Sequence, residues 1–382
     1  MKPECDIILL SYESPDLLKR CVQSVLERTK VRSRLIIVDN ASRDPGVARY
    51  LHGLHGSGNV AIEKVFSEEN AGFAAGMNKG MRLSEAPFLC LLNNDCVVAD
   101  GWLEEMIAVA RSRDGIGLVN PQSNTFGSRP DEGVSVKDHA ALIKDKKGKF
   151  VELGHAIAFA CLLKREVVER IGYLDEAYKG VCYEDTDFSV RAQKAGFISV
   201  MAEGAYVFHL EQASRRSLKG REEIYRRNRE IFESRWGRLL RVFFLDRPAG
   251  NGNRLAENYE ILKNIARERA IVEMWIGHDH PAAGIRDEFD GKNVIRHADI
   301  GVNVFPGSFA APAILWRVLT KRKKYNAVIM EDGFLLRCLR LLKPFHGAEV
   351  FAREEGSRLR SGRQGLFDLK EPAVLAEYLR GI

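Results

Sequence analysis

The feature that most constrains the fold is the alternation of short β-rich apolar runs with segments of helical periodicity in the first half of the chain. Within residues 15–28, for example, Leu18, Val22 and Val25 recur at helical spacing, and Pro15 suits a first helical turn. We predict strands at 7–11, 34–38, 60–66, 88–92 and 116–119, and helices at 15–28, 73–83 and 102–111. Alternating strands and helices indicate a largely parallel sheet with helices on both faces.

The length of the chain and one cluster of turn-forming residues predict two domains. At 382 residues the chain exceeds the size that one hydrophobic core usually serves. The sequence DRPAGNGN at 246–253 marks the predicted boundary. We therefore assign 1–245 to a first domain and 255–382 to a smaller C-terminal α/β domain with strands at 270–276, 326–330 and 349–352. Residues 123–148 are polar and lysine-rich, and we predict a mobile loop or an insertion over the site there.

Composition narrows the class of protein. Hydrophobic residues make up 45% and charged residues 29%, which is ordinary for a globular protein. The seven cysteines include no CxxC pair, so we expect reduced thiols rather than disulfides or a zinc site. The first residues, MKPECDIILLSYES, do not resemble a signal peptide, and no apolar stretch is long enough to span a bilayer. We expect a cytoplasmic protein, peripheral to the inner face of the membrane, with no nucleic-acid partner.

Basic residues are concentrated in one segment. The formal net charge is +6, and residues 214–241 hold ten Arg or Lys against four Glu. Segment 215–241 suits contact with anionic lipid or a phosphate-bearing acceptor, and a solvated helix face is the alternative. In the tail, His278, Asp279 and His280 have metal-binding chemistry, but Gly and Pro around them favour solvent exposure. The Arg-rich stretch 353–363 is predicted to be a solvated loop.

Carboxylates and amides follow two of the predicted strands. VDN ends one strand at 38–40, and LLNND ends another at 91–95. Because ligands of open parallel sheets bind beyond the carboxyl ends of strands, these side chains are expected near a ligand. Asp95 is placed to hold a divalent cation that bridges a diphosphate, and capping of a turn is the alternative.

Three further features carry candidate chemistry. Glu184, Asp185 and Asp187 begin a helical pattern, where the helix dipole favours carboxylates and their crowding raises a pKa toward that of a general base. His209 ends an apolar run and is either a core residue or a ligand. NAGFAAGMNKG at 70–80 allows close backbone approach to a ligand, but it lacks the spacing of a dinucleotide or P-loop site.

Taken in order, these pieces resemble glycosyltransferase family 2, an inverting group with the GT-A fold, over roughly residues 5–235. The resemblance is carried by ILLSY at 8–12, LKRCVQSV at 18–25, IVDNAS at 37–42, the segment 70–80, LLNND at 91–95, GYLDE at 172–176, YEDTDFSVR at 183–191 and His209. It implies an α/β GT-A fold, a nucleotide-diphosphate sugar as donor, Mn²⁺ or Mg²⁺, and a glycan or lipid-linked acceptor. Polysaccharide synthesis for the cell envelope by a hexosyl- or deoxyhexosyltransferase is the expected role.

The resemblance also implies a role for each matching residue. Asp39 is expected to read the donor base, with Tyr12 beside it, and Asp185 is expected to be the catalytic base. The expected donor-binding residues are Tyr12, Asp39, Asn70, Gly72, Asn78, Asn93 and Asn94. The expected metal ligands are Asp95 and His209, and the expected catalytic group is Asp185 with Glu184 and Asp187 on the acceptor side.

One departure from the family pattern leaves an alternative open. Asn93 stands where the family's DxD motif has its first carboxylate, so we expect weaker metal affinity. A non-catalytic nucleotide-sugar-binding or scaffold protein of the same fold is therefore the second hypothesis. A nucleotidyltransferase is disfavoured, because SYESP at 11–15 lacks the glycine-rich loop expected after its first strand. The tail is expected to select the acceptor or to assemble an oligomer.

Overall fold

The protein divides into two compact units, Met1–Arg235 and Trp236–Ile382. The computed structural model describes residues 2–180, 182–210, 220–246, 253–277, 295–305, 310–354, 357–361 and 365–382. The division precedes the predicted boundary near residue 245, because the strand Leu240–Asp246 pairs with strands of the second unit. No helix among the described residues is both long and apolar enough to cross a membrane. His278, Asp279 and His280 lie outside the described residues.

The first unit contains every strand and helix predicted for the first half of the chain, together with short elements that were not predicted. Its strands are β1 (Cys5–Ser11), β2 (Ser33–Asp39), β3 (Val60–Phe66), β4 (Phe88–Asn93), β5 (Cys96–Val98), β6 (Ile116–Gln122), β7 (Phe150–Leu153), β8 (Ala160–Lys164) and β9 (Ile198–His209). Its helices are α1 (Pro15–Arg28), α2 (Pro45–Gly53), α3 (Phe73–Leu83), α4 (Trp102–Ser112), α5 (Val136–Leu142), α6 (Arg165–Ile171), α7 (Glu184–Lys194) and α8 (Arg221–Trp236).

The described strands of this unit form one sheet in the order β3-β2-β1-β4-β8-β6-β9-β5, with β7 also paired to β9. Strands β3, β2, β1 and β4 are parallel, as are β6 and β9. Strand β8 is antiparallel to both β4 and β6, so β4 and β6 run in the same direction. The carboxyl ends of β1, β2, β4, β6 and β9 therefore lie at one edge of the sheet, which we call the carboxyl edge.

Helices cover both faces of this sheet, because successive side chains of a buried strand point to opposite faces. Ile7 and Leu9 of β1 join the core cluster that contains Leu18 of α1 and Trp102 of α4. Ile8 joins the cluster on the other face. The mainly parallel α/β architecture predicted from the sequence is thus present.

Helix α3 lies unusually close to β1. A Cβ atom on Gly80 would overlap Cγ2 of Ile8, and one on Gly76 would overlap the side chain of Leu10. These two glycines therefore serve helix–sheet packing, whereas the sequence analysis expected the glycines of 70–80 to approach a ligand. Gly72 differs from them, because it precedes α3 with a positive φ of 84°.

The segment 123–148 is not only a loop as predicted. It contains α5 and a short 3₁₀ turn, Lys144–Lys146. The Ser135 hydroxyl caps α5 by accepting a hydrogen bond from the Asp138 backbone N–H at 3.1 Å. The prediction missed this helix because it has only seven residues and little apolar periodicity.

The second unit is a smaller α/β unit. Its strands are β10 (Leu240–Asp246), β11 (Ala270–Gly277), β12 (Ile300–Phe305), β13 (Ala327–Glu331), β14 (Glu349–Arg353), β15 (Arg358–Ser361) and β16 (Leu366–Asp368). Its described helices are α9 (Asn253–Arg267), α10 (Ala310–Thr320), α11 (Phe334–Leu341), α12 (Lys343–His346) and α13 (Pro372–Gly381). The strand order is β12-β11-β10-β13-β14-β15-β16, parallel as far as β14. One core contains residues of α9 and α13, and the other contains residues of α10 and α11.

Candidate active site

The strand register brings most of the predicted site residues to the carboxyl edge of the first sheet. Ser11 at the end of β1 pairs with Asp39 at the end of β2, and Leu10 pairs with Asn93 at the end of β4. On the other side of the sheet, Cys96 at the start of β5 pairs with His209 at the end of β9. These residues are distant in sequence, and the parallel topology collects them.

One end of this edge carries the residues predicted to bind the nucleoside. Asp39 is buried, and its Oδ1 accepts a hydrogen bond from the Ser42 hydroxyl at 2.6 Å. Tyr12 follows β1 and is half exposed, which leaves its ring accessible for stacking. The Ser11 hydroxyl is buried and forms no hydrogen bond with any described residue. The arrangement offers an aromatic face beside a carboxylate.

Asn40 organises the neighbouring loop. Its Nδ2 donates to Asn70 Oδ1 at 2.9 Å and to the Gly72 carbonyl at 3.2 Å, and its Oδ1 accepts from the Ala71 N–H at 3.1 Å. Asn40 therefore fastens 70–72 to the end of β2 and places Asn70 and Gly72 beside Asp39. No role was predicted for Asn40 from the sequence, although its position directly after Asp39 was the available signal.

Backbone strain is concentrated around these residues. The non-glycine residues with positive φ in the described part of the chain are Glu13, Ser14, Ala41, Cys182, Tyr183 and Arg269. All but the last lie within three residues of Tyr12, Asp39 or Asp185. Such conformations cost on the order of 1–3 kcal/mol and persist where the surroundings fix them, commonly at functional sites.

Asp95, Cys96 and His209 form a group with metal-binding chemistry. Asp95 is 2% exposed, and neither of its carboxylate oxygens forms a hydrogen bond with a described residue. Nε2 of His209 lies 3.2 Å from Asp95 Oδ1 and also lacks a hydrogen bond. With Sγ of Cys96, the three candidate ligand atoms lie within 4.8 Å of one another. Because an uncompensated buried carboxylate is costly, the site suits a divalent cation.

Neighbouring groups hold the backbone and the ring of His209 in place. Asn124 Oδ1 accepts from the His209 N–H at 2.8 Å, and Asn124 Nδ2 donates to the His209 carbonyl at 2.9 Å. The Phe159 ring stacks on the imidazole at 5.2 Å between centroids, with an interplanar angle of 16°. Neither Asn124 nor Phe159 was predicted from the sequence, because both reach His209 only through the fold.

The donor set mixes two kinds of metal ligand. The carboxylate of Asp95 suits Mg²⁺ and Mn²⁺, and the imidazole of His209 suits transition ions. Burial raises the pKa of the Cys96 thiol well above its usual range, and Sγ donates to the Phe159 carbonyl at 3.4 Å. The metal-free Cys96 is thus a protonated thiol. Asn93 and Asn94 are half-buried beside this group and offer neutral amide oxygens.

Asp185 is connected to the metal group by one short segment. Its Oδ2 accepts from the Ala158 N–H at 3.2 Å, and its Oδ1 accepts from the Thr186 N–H at 2.7 Å. The next residue, Phe159, accepts from the Asn93 N–H at 2.9 Å through its carbonyl. The chain at 158–159 therefore sets the spacing between the carboxylate of Asp185 and the metal group.

Glu184 is buried behind this carboxylate. Its Oε2 forms no hydrogen bond with a described residue. Burial, followed by the negative charge of Asp185, raises the pKa of Glu184 to about 8. At neutral pH the side chain is mainly protonated. Its burial does not fit the predicted place on the acceptor side.

Asn78 and Asp187 are also placed differently from the prediction. Asn78 is buried, with Nδ2 donating to the Leu174 carbonyl at 2.9 Å and Oδ1 accepting from the Leu174 N–H at 3.0 Å. Asp187 is buried and accepts from Arg191 Nε at 2.8 Å and from the Tyr178 hydroxyl at 3.2 Å. Because these groups are used within the fold, we omit both residues from the site.

A separate groove of about 920 Å³ lies at the opposite edge of the sheet. It is lined by residues around the starts of β1 to β4, including Glu4, Ser33, Val60 and Pro87. None of the predicted site residues lines it. We place the site at the carboxyl edge because the strained backbone and the group of Asp95, Cys96 and His209 are there.

The fold and this geometry define an α/β protein whose polar site lies at the carboxyl edge of a mainly parallel sheet. The family model described as Glycosyl transferase family 2 matches residues 6–172, a range that includes Asp39 and Asp95. Residues 6–172 of the first unit thus match glycosyltransferase family 2, and the predicted α/β class, with a mainly parallel sheet and a second, smaller α/β unit, is confirmed. Asp185 and His209 lie beyond the matched residues.

Individual proteins are similar over part of their length. "Uncharacterized protein y4gI" of Sinorhizobium fredii is 28% identical over 252 residues, which are 61% of this chain and 28% of that protein. "Glycosyltransferase AglE" of Haloferax volcanii is 25% identical over 207 residues, 51% of this chain and 63% of that protein. The mannosyltransferase PcManGT from Pyrobaculum calidifontis, solved with GDP-Man and Mn²⁺, gives a TM-score of 0.43 at 17% identity, covering 57% of this chain and 59% of that one. This chain spans less than two thirds of each curated relative.

Proposed function

We propose that this protein transfers a sugar from a nucleotide-diphosphate donor to a hydroxyl of a glycan or lipid-linked acceptor, with inversion at the anomeric carbon. The supporting observation is the pair of the buried Asp95 and the partly buried His209, whose facing atoms lie 3.2 Å apart and form no hydrogen bond with any other described residue. This pair lies at the same edge of the sheet as Asp39 and is joined to Asp185 through 158–159. A hexosyl- or deoxyhexosyltransferase of polysaccharide synthesis is the proposed type.

The donor is proposed to bind along the carboxyl edge, with its nucleoside near Asp39 and its diphosphate near Asn93. Asp39 accepts hydrogen bonds from the base, and the exposed ring of Tyr12 stacks beside it. Asn40 holds Asn70 and Gly72 next to this pocket, where backbone groups meet the ribose. The amides of Asn93 and Asn94 lie toward the diphosphate.

Asp95 and His209 would hold a divalent cation, Mn²⁺ or Mg²⁺. When bound, such a cation offsets the negative charge of the departing diphosphate. Asn93 carries no charge, so the affinity for the cation is lower than with two carboxylates. Asn124 fixes the backbone of His209, and the stacked Phe159 ring orients its imidazole before a cation binds.

Asp185 acts as the base. Backbone N–H groups from Ala158 and Thr186 each bond one of its oxygens and fix the plane of the carboxylate. It takes the proton of the acceptor hydroxyl, which attacks the anomeric carbon opposite the leaving diphosphate. Glu184, protonated behind it, adds no second negative charge at neutral pH.

The first test measures thermal stability with a panel of nucleoside diphosphates and their sugars, with and without Mn²⁺. A ligand at 100 times its Kd stabilises by about 2.7 kcal/mol, so one nucleotide is expected to give a clear Mn²⁺-dependent shift. Asp95→Ala is expected to lose that shift. Asp100→Ala, which removes an exposed carboxylate nearby, is the control and is expected to keep it. No shift with any nucleotide would count against a donor site.

The second test separates binding from transfer. Asp185→Asn is expected to keep the donor-induced shift and to lose transfer by roughly 10²- to 10⁴-fold, because the amide cannot accept the proton. Product formation is measured at saturating donor. Transfer at the wild-type rate by Asp185→Asn would remove Asp185 as the base.

A non-catalytic nucleotide-sugar-binding or scaffold protein is the second candidate, and Asn93 is the observation that favours it. If the protein is non-catalytic, the wild-type chain is expected to bind the donor and to transfer no sugar to any acceptor. Asn93→Asp supplies the missing carboxylate and is expected to strengthen Mn²⁺ binding under either hypothesis. Gain of transfer only in Asn93→Asp would support the non-catalytic candidate. Membrane contact through 215–241 stays a prediction, since 211–219 lie outside the described residues.

A further inference from the structure

One face of the second unit exposes large apolar side chains in an unusual number. Helices α10, α11 and α12 pack against one another on this face. Trp316 of α10 is 72% exposed, Phe334 and Leu341 of α11 are each 81% exposed, and Phe345 of α12 is 72% exposed. Single exposed apolar residues are ordinary, but several on adjoining helices form a patch that marks a contact surface.

The core of the unit does not require these side chains. The inner sides of α10 and α11 bury Ile314, Val318, Leu335, Leu336 and Leu339 against the sheet. On α11, the exposed residues Phe334, Arg337 and Leu341 follow the spacing of a second, outward stripe. A surface helix normally carries polar residues on its outward side, so the apolar residues of this stripe indicate a contact surface.

The same helices are strongly basic. Residues 310–324 and 334–346 contain eight Lys or Arg and no Asp or Glu. Arg317 and Lys321 pair with Glu273. Arg322, Lys323, Lys324 and Arg337 are exposed beside the apolar residues. We call the outward side of α10 to α12, with the loop 321–324, the basic-apolar face.

The opposite side of this unit has a nearly balanced charge. Helices α9 and α13 lie on the other face of the sheet, and residues 253–267 and 372–381 hold four Lys or Arg and three Glu. A planar anionic surface would therefore attract the basic-apolar face more strongly than this side. This asymmetry gives the unit a defined orientation on such a surface.

We propose that the basic-apolar face binds an anionic membrane surface, with Trp316, Phe345 and Leu341 entering the headgroup–acyl boundary and Lys or Arg contacting lipid phosphates. Apolar side chains beside Lys and Arg are the combination that interfacial binding uses. A second copy is a poorer occupant, because it would bring like charges of the 321–324 loop into the contact. This surface is separate from the carboxyl edge of the first sheet and goes beyond the proposed sugar transfer.

The test is flotation of the full chain with vesicles of phosphatidylcholine alone, or of phosphatidylcholine with phosphatidylglycerol. Binding is expected to the anionic vesicles only, and to weaken at high salt. Trp316→Ser/Phe345→Ser is expected to weaken binding roughly tenfold for each side chain removed. Arg322→Gln/Lys323→Gln is expected to weaken it roughly fivefold for each charge removed.

Val374→Ser is the matched control, because Val374 is 52% exposed on α13, on the other side of the sheet. It is expected to bind like the wild type. All replaced residues are exposed, so unfolding temperatures are expected to stay unchanged, and Phe334→Ser is a further variant should one pair misfold. Equal binding to both kinds of vesicle, or wild-type binding by both double variants, would overturn the proposal.

Light scattering in the absence of lipid tests whether a second copy of the chain binds the basic-apolar face instead. A wild-type mass of two chains that falls to one chain in Trp316→Ser/Phe345→Ser would identify the face as an interface between copies and reject membrane binding. A single-chain mass for both proteins is the expected result. Because the vesicles contain neither donor nor acceptor, the outcome is independent of the sugar-transfer proposal.

Discussion

At the scale of single residues, Glu184 makes stability depend on pH. Its pKa in the folded protein is about 8 instead of 4.5, so the folded state holds a proton that the unfolded state has lost. Its contribution is complete below about pH 4.5 and is lost as pH rises toward about 8, by about 1.4 kcal/mol per pH unit at most. Glu184→Gln is expected to flatten this dependence and to be more stable than the wild type at pH 8.

Unfolding temperatures of both proteins across this range check the expectation. Glu85→Gln, at an exposed glutamate, is the control and is expected to follow the wild-type profile. An identical pH profile for the wild type and Glu184→Gln would show that Glu184 is ionised in the folded protein.

Replacing either of two buried aspartates by asparagine is expected to change the free energy of unfolding, with opposite signs at the two positions. The buried carboxylate of Asp95 has the His209 imidazole nitrogen, at 3.2 Å, as a polar neighbour and no hydrogen bond with any other described residue, so Asp95→Asn, which removes the buried charge, is expected to stabilise the metal-free protein by about 1–3 kcal/mol. Asp187 bonds Arg191 and Tyr178, so Asp187→Asn is expected to destabilise it by about 3–5 kcal/mol. Urea unfolding without metal measures both changes. Destabilisation by Asp95→Asn would indicate that its carboxylate already has a favourable partner.

At the scale of elements, the contact of α3 with β1 depends on Gly80. Gly80→Ala is expected to destabilise by about 1–3 kcal/mol, because the new methyl overlaps Ile8 and lies 3.3 Å from Val38 Cγ2. Helix propensity alone predicts a gain of about 1 kcal/mol. Gly53→Ala on α2 meets nothing within 4 Å and is the matched control. Urea unfolding of both variants decides which effect dominates at Gly80.

Elements with long apolar periodicity could be predicted from the sequence, and others could not. Helices α1 and α3 have the predicted ends, because periodicity and the flanking residues define them. Strands β5 and β7 have three and four residues, too few for a pattern. The antiparallel direction of β8 depends on its pairing with β4 and β6, which no local signal contains.

The residues of the candidate site could also be predicted only in part, because contacts between distant parts of the chain leave no local signal in the sequence. The resemblance selected Asp95, Asp185 and His209, which the structure joins through one edge of the sheet and the 158–159 segment. It also selected Asn78 and Asp187, which the fold uses internally. The partner of Asp187 at i+4, Arg191, was visible in the sequence, whereas the contact of Asn78 with Leu174 spans 96 residues.

At the scale of the whole molecule, the position of β10 predicts where the chain can be divided. A fragment ending at Arg235 is expected to be soluble and to keep Mn²⁺-dependent nucleotide binding. A fragment ending at Leu245 retains most of β10, including Val242 and Phe243, without its partners β11 and β13. Its unpaired apolar strand is expected to cause aggregation. Light scattering compares the two, and equal solubility would contradict this division.

The placement of His209 on β9 determines when the first unit can finish folding during synthesis. Strand β9 pairs with β5, β6 and β7, which precede it in the chain. A growing chain therefore has Asp95 and Cys96 long before it has the strand that completes their surroundings. On the ribosome, where domains generally fold as their chain emerges, the first unit closes only after residue 209 has left the exit tunnel. The candidate cation site is thus among the last parts of the first unit to be assembled, and a chain released before that point lacks His209, one of its two proposed ligands.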